Sequence, residues 1–210
     1  HAQEIAPPVD HFLIDQMRNT LAGLRRAASH LHATTCWKYE SDEAELANII
    51  ESSATELDRQ MYRLHLLLNY EQLECRPIEV ARAVALSAEH LRHNHPMLRG
   101  VRVDWSADSA TISVPPGAIE NLIETTVQLH THDFADPAQV AIDAATEAGG
   151  LRLMITSSLQ NRRRPPRPNN GWAELVTRLG AQVGAHVTHE VISDQNVLVT
   201  TIQIDGTQGT

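Results

Sequence analysis

The sequence predicts an α+β protein in which a long antiparallel helical hairpin precedes an α/β sandwich. Two apolar stripes at three- and four-residue steps run through the first third of the chain, and the texture changes after Arg76-Pro77. From there, short helical and strand patterns alternate to the end. An apolar fraction of 42% and a charged fraction of 20% over 210 residues describe a globular protein with enough chain for one large or two small cores.

Residues 1–9, opening His1-Ala2-Gln3-Glu4-Ile5-Ala6-Pro7-Pro8, read as a linker cut from a longer protein, with a sensor or receiver domain expected ahead of it. From Val9 to about Ala33 the residues Phe12, Leu13, Met17, Leu21, Leu24, Ala28 and Leu31 recur with helical period and predict one long amphipathic helix. Thr34 to Ser41 breaks that pattern, and Ser41-Asp42-Glu43-Ala44-Glu45 offers a new helix start with acids in its first turn. The second helix is expected from about Asp42 to Leu73. Its stripe is Leu46, Ile49, Ile50, Ala54, Leu57, Met61, Leu64, Leu67 and Leu68. Residues 10–75 thus make a hairpin whose apolar surface stays uncovered until a second copy completes a four-helix bundle, so a homodimer is expected.

Beyond Pro77 the patterns predict a helix over Ile78–Arg92, strands at Val101–Trp105 and Thr111–Val114, and a helix over Pro116–Leu129. Strands at Gln139–Ala145 and Leu151–Ser157 follow, with Gly149-Gly150 as the tight turn between them. After the Arg- and Pro-rich stretch Arg162–Pro168 come a helix over Trp172–Val183 and strands at Ala185–Ile192 and Val197–Ile204. This second region, residues 76–206, reads as a mixed sheet with helices on one face.

A net charge of -9 argues against a nucleic-acid binder, since phosphate neutralisation needs an excess of Lys and Arg. No apolar run reaches the roughly 20 residues of a membrane span. Cys36 and Cys75, isolated and without CxxC spacing, fit a reducing compartment, and a cytoplasmic location is expected. His90, His93 and His95 have partial metal spacing, but no nearby acid or Cys completes the set, so no metal and no cofactor are expected. His130 and His132 with Asp133 are read the same way, and His30 and His32 complement a helix C-terminus. The Arg162–Arg167 cluster is read as a solvated loop stiffened by Pro, although its guanidiniums could grip a phosphate or an acidic partner.

The segment Ile14-Asp15-Gln16-Met17-Arg18-Asn19-Thr20-Leu21-Ala22-Gly23-Leu24 resembles the phosphoacceptor helix of sensor histidine kinases. In that family the block reads His, two or three residues, Lys or Arg, Asn, Thr or Pro, Leu and a small residue. Arg18, Asn19, Thr20, Leu21 and Ala22 fit, while Asp15 stands in the histidine's place. The order of elements over residues 10 to 204 resembles the family's hairpin plus ATP-binding domain. Its metal-binding helix motif, Asn-Leu-Leu-x-Asn-Ala, is represented by Asn121-Leu122-Ile123-Glu124-Thr125-Thr126, with Thr125 at the ligand position. A hydroxyl is a poorer magnesium ligand than a well-placed amide oxygen. The family's Asp-x-Gly-x-Gly is replaced by Thr156-Ser157-Ser158-Leu159-Gln160-Asn161, and of its Gly-x-Gly-Leu only Gly171 remains.

The resemblance therefore implies a degenerate histidine-kinase core, a pseudokinase or histidine-phosphotransferase-like protein, with no autokinase activity. It implies contact with a response-regulator receiver domain around Asp15, Gln16, Arg18, Asn19 and Ala22. A second reading is a phosphotransferase relaying phosphate between receivers through His11, one helical turn before Asp15. A third is a ligand sensor using the vacated cleft near Asn121, Thr125 and Thr156.

Overall fold

A computed structural model describes residues 9–34, 40–69, 73–94, 100–105, 111–132, 139–147, 150–159 and 171–204. The chain divides into two compact units at Leu68/Asn69. The first holds α1 (Val9–Thr34) and α2 (Glu40–Asn69). Leu13, Ala27, Gln60, Arg63 and Leu66 are its buried residues among those described. The predicted apolar stripe of α2 does not line this interior throughout: Ile49, Met61 and Leu68 are exposed, Met61 by 53% and Leu68 by 67%. Neither helix is long and apolar enough to cross a membrane, and the same holds for every described helix.

The second unit contains β1 (Arg76–Glu79), α3 (Val80–Asn94), β2 (Gly100–Trp105), β3 (Thr111–Val114) and α4 (Ala118–Thr131). It continues with β4 (Gln139–Glu147), β5 (Gly150–Ser158), α5 (Gly171–Gln182), β6 (Ala185–Ile192) and β7 (Val197–Ile204). The expected helix over Ile78–Arg92 needs a correction, because its start belongs to β1, which pairs antiparallel with β3. Four residues that include a proline carry no periodic signal of their own, so this strand exists through its partner.

The five-stranded sheet has the order β2-β4-β5-β7-β6, with β2 and β4 parallel and the remaining pairs antiparallel. It is a mixed sheet with helices on one face. The strict alternation of β5, which buries Leu151, Leu153, Ile155 and Ser157, sets that face. Val140, Ile142 and Ala144 on β4 and Leu198, Thr200, Ile202 and Ile204 on β7 continue it. α4 lies against β5, α5 against β6 and α3 against β2.

Glu147 pairs with Gly150, so residues 148 and 149, which lie outside the described residues, join β4 to β5; the expected turn at Gly149-Gly150 is displaced by one residue, because Gly150 belongs to β5. Geometry calls for glycine at Gly117 and at Gly180. Gly117, at φ 80°, is the N-cap of α4, and a Cβ on Gly180 would overlap Cγ2 of Val187 where α5 presses on β6.

Candidate functional site

On α1 the resemblance motif forms an exposed surface. Asp15, Arg18, Asn19 and Ala22 are all exposed and Gln16 is half-buried. At 100° per residue the four exposed positions fall on the side of the helix opposite the buried line Leu13–Thr20–Ala27. Arg18 Nη1 lies 3.6 Å from Asp15 Oδ1, with both side chains mostly in water, so this pair contributes little to stability. Asp15 therefore meets solvent with one guanidinium beside it. His11 belongs to α1, but its side chain lies outside the described residues, as do those of His30 and His32.

The interior of the hairpin is polar at its middle. The Thr20 hydroxyl donates to the Gln16 carbonyl at 3.0 Å and lies 3.4 Å from Gln60 Oε1 on the opposite helix. Gln60 in turn donates to Glu56 Oε1 at 3.1 Å. Glu56 also faces two arginines: Arg59 Nη1 at 3.2 Å and the wholly buried Arg63 Nη1 at 3.5 Å. Sequence reasoning missed this layer. Its only signal is Glu56, Arg59, Gln60 and Arg63 at helical spacing, a polar stripe beside the apolar one.

The apolar residues flank this interior on one side. Ile14 and Leu21 each follow an inward residue of α1, Leu13 and Thr20, by one position. Leu57, Met61 and Leu64 do the same for Glu56, Gln60 and Arg63 of α2. In two antiparallel right-handed helices the same forward step turns both chains to the same flank, so these residues form one continuous apolar side.

In the second unit Asn121 and Thr125 lie together on α4. Thr125 is fully buried, and its hydroxyl donates to the Asn121 carbonyl at 2.6 Å. Thr126 and Thr131 bond back one turn in the same way. Asn121 Nδ2 donates to the Gly117 carbonyl at 2.9 Å, while its Oδ1 is buried without a hydrogen-bond partner. Between them, buried Glu124 holds His90 of α3 at 2.7 Å.

Thr156 is not part of this group. It alternates with the buried positions of β5 and lies on the sheet face away from the helices, in register with Ala141 and Val199. Gly171 is half-buried at the first position of α5. Asn121 and Thr125 thus share a helix face, Gly171 stands on the neighbouring helix, and Thr156 is across the sheet. The Arg162–Arg167 stretch lies outside the described residues.

His130, read from sequence as structural or incidental rather than a metal ligand, is fully buried and bridges the helix to the sheet. Its Nδ1 is 2.9 Å from Ser157 Oγ and its Nε2 is 2.8 Å from Thr200 Oγ1. His189 Nδ1 reaches the same Thr200 oxygen at 2.9 Å. His189 keeps part of its surface in solvent. Desolvation of its ring holds its pKa below 6.5, with a hydrogen bond to the Ala173 backbone opposing the shift. Hydroxyls at two positions of the buried strand stripe, Ser157 and Thr200, were the available sequence signal for this network. Among the described residues no His, Cys, Asp and Glu side chains cluster as metal ligands would.

No protein-family model and no curated protein matches the sequence. Solved structures do resemble the fold. The Acinetobacter baumannii histidine kinase AdeS superposes with a TM-score of 0.63 at 11% identity, covering 92% of this chain and 98% of that one. A bacterial phosphotransferase gives a TM-score of 0.53 at 12% identity, covering 90% and 91%. The nucleotide-free catalytic domain of the histidine kinase ThkA gives 0.51 at 10% identity, covering 63% of this chain and 97% of its own. The chain therefore has the fold of a histidine-kinase core, a helical hairpin joined to an α/β sandwich of the ATPase type.

Proposed function

We propose that this chain is a two-component signalling module that acts through protein contacts and does not phosphorylate itself from ATP. The observation that carries this reading is Thr125. It stands where histidine kinases place a metal-binding amide, and its hydroxyl is turned into the helix backbone, away from any ligand. Asp15, at the phosphoacceptor position, is exposed with the Arg18 guanidinium beside it and belongs to no acidic cluster among the described residues, whereas a receiver aspartate is assisted by a metal and a lysine.

In this reading residues 10–75 are the dimerisation and docking hairpin, and residues 76–206 are a degenerate ATP-binding-like domain. The exposed flank of Ile14, Leu21, Met61 and neighbours supports a homodimer, since a second copy would bury it in a four-helix bundle. A response-regulator receiver docks on Asp15, Gln16, Arg18, Asn19 and Ala22, and the module works in the cytoplasm by sequestering that partner or biasing its conformation.

The test has two arms. Calorimetry with ADP and an ATP analogue, each with magnesium, should give no heat. Arg18→Glu should weaken binding of the cognate receiver at least tenfold, and unchanged binding would remove this surface.

The fold similarity to a bacterial phosphotransferase favours a second reading, in which His11 relays phosphate between receivers. A phosphorylated receiver should then label the wild-type chain and leave His11→Ala unlabelled. Labelling that survives in His11→Ala would end this version.

A further inference from the structure

A hollow of about 340 Å³ opens at one end of the five-stranded sheet, chiefly on the face opposite the helices. It lies across the strands. The pairing explains its shape. Arg102, Ala141 and Thr156 stand side by side on β2, β4 and β5, and the next row on this face continues through Gln139, Ser158 and Val197. Small side chains at the centre, Ala141, Thr156 and Ser158, form the floor. Arg102 and Gln139 are the long ones, Val197 closes the row, and Val140 and Ser157, which alternate toward the helix side, complete the lining.

The chemistry of this lining is one-sided. In a chain of net charge -9, the described lining residues present one guanidinium, one amide and three side-chain hydroxyls, and no carboxylate. Asp143 is the next residue of β4 on the same face and lies outside the lining. Donors at the rim and hydroxyls on the floor suit an anionic head group. Ala141 and Val197 suit a short apolar body. The volume is at the lower end of small-molecule sites, about 300–1,000 Å³.

We infer that this hollow binds a compact organic anion, a carboxylate or a phosphate monoester with a short aliphatic part, independently of the helix-side region where histidine kinases hold ATP. Because the site lies across β5, which also carries Ser157 on the helix side, occupancy would be transmitted through a strand shared by both faces.

The experiment is amide NMR on the labelled full chain titrated with butyrate, with ethyl phosphate and with butylammonium, which has the butyl body and the opposite charge. At least one anion should shift the Thr156, Ser158 and Val197 resonances saturably in the millimolar range, and the tighter of the two identifies the head group. Butylammonium should leave them unmoved. Arg102→Gln, at an exposed position, should weaken binding at least tenfold, and Thr156→Leu should abolish it by filling the floor. Absence of saturable shifts with both anions would overturn the proposal. So would equal shifts with butylammonium, or unaltered affinity in a folded Arg102→Gln protein.

Discussion

Thr125→Asn introduces the residue type that the resemblance to histidine kinases implies at this position, and it tests the proposed loss of metal binding there. The substitution alone should not regain it. Thr125 is fully buried, its methyl group is packed, and its one hydroxyl proton is placed on the Asn121 carbonyl at 2.6 Å. Asparagine has nearly the same volume but brings an amide with two donors and an acceptor into a site that offers one backbone carbonyl. Leaving a buried polar group unmade costs about 1–3 kcal/mol, and loss of the methyl contact adds to it. A domain of this size loses roughly 4 °C of Tm per kcal/mol, so a fall of about 4–12 °C is expected. The assay is a thermal melt together with calorimetry against ADP and magnesium. The expected pair of results is a lower Tm and no heat of binding. A variant that melts like wild type, or that binds ADP in the micromolar range, would refute the reasoning that α4 has been rebuilt as a structural helix.

Gly180→Ala should destabilise despite the roughly 1 kcal/mol gained in helix propensity, because its Cβ overlaps the branched Val187 side chain and overpacking costs about 1–3 kcal/mol; Val187→Ala in the same chain should remove most of the loss in urea unfolding. His189 has a folded pKa below its unfolded value of about 6.5, so the unfolded chain binds more protons in acid. Its stabilising contribution is present above that value and is lost as pH falls through 6.5 toward the folded pKa. The difference in unfolding free energy between wild type and His189→Gln should shrink between pH 7.5 and 5 by less than about 1 kcal/mol, and a difference that grows toward acid would contradict the desolvation cause. Met61→Glu, at an exposed position of the apolar flank, should convert the proposed dimer to monomer in sedimentation without lowering helicity, whereas an unaltered sedimentation coefficient would place the contact elsewhere.

What the sequence determined by itself was local. The two long helices and the strands from Gln139 onward follow from residue periods that any partner would have to respect. The identities of Asp15, Thr125 and Thr156 are equally legible, while their reading as departures from kinase motifs belongs to the proposed function.

The tertiary structure decided what depends on pairing between distant segments. β1 exists because β3 lies beside it, and β2 joins β4 in parallel although it is followed in sequence by β3. A strand's period of two leaves open which face meets the helices. Only the assembled sheet turns Ser157 toward His130 and Thr156 toward the open hollow, separating residues that a shared motif would have grouped. In the hairpin, the period of α2 marks an apolar and a polar stripe but does not say which is inward. The structure puts Gln60 and Arg63 inside and leaves Met61 in solvent, because the helix on the other side answers them with Thr20 as well as with leucine.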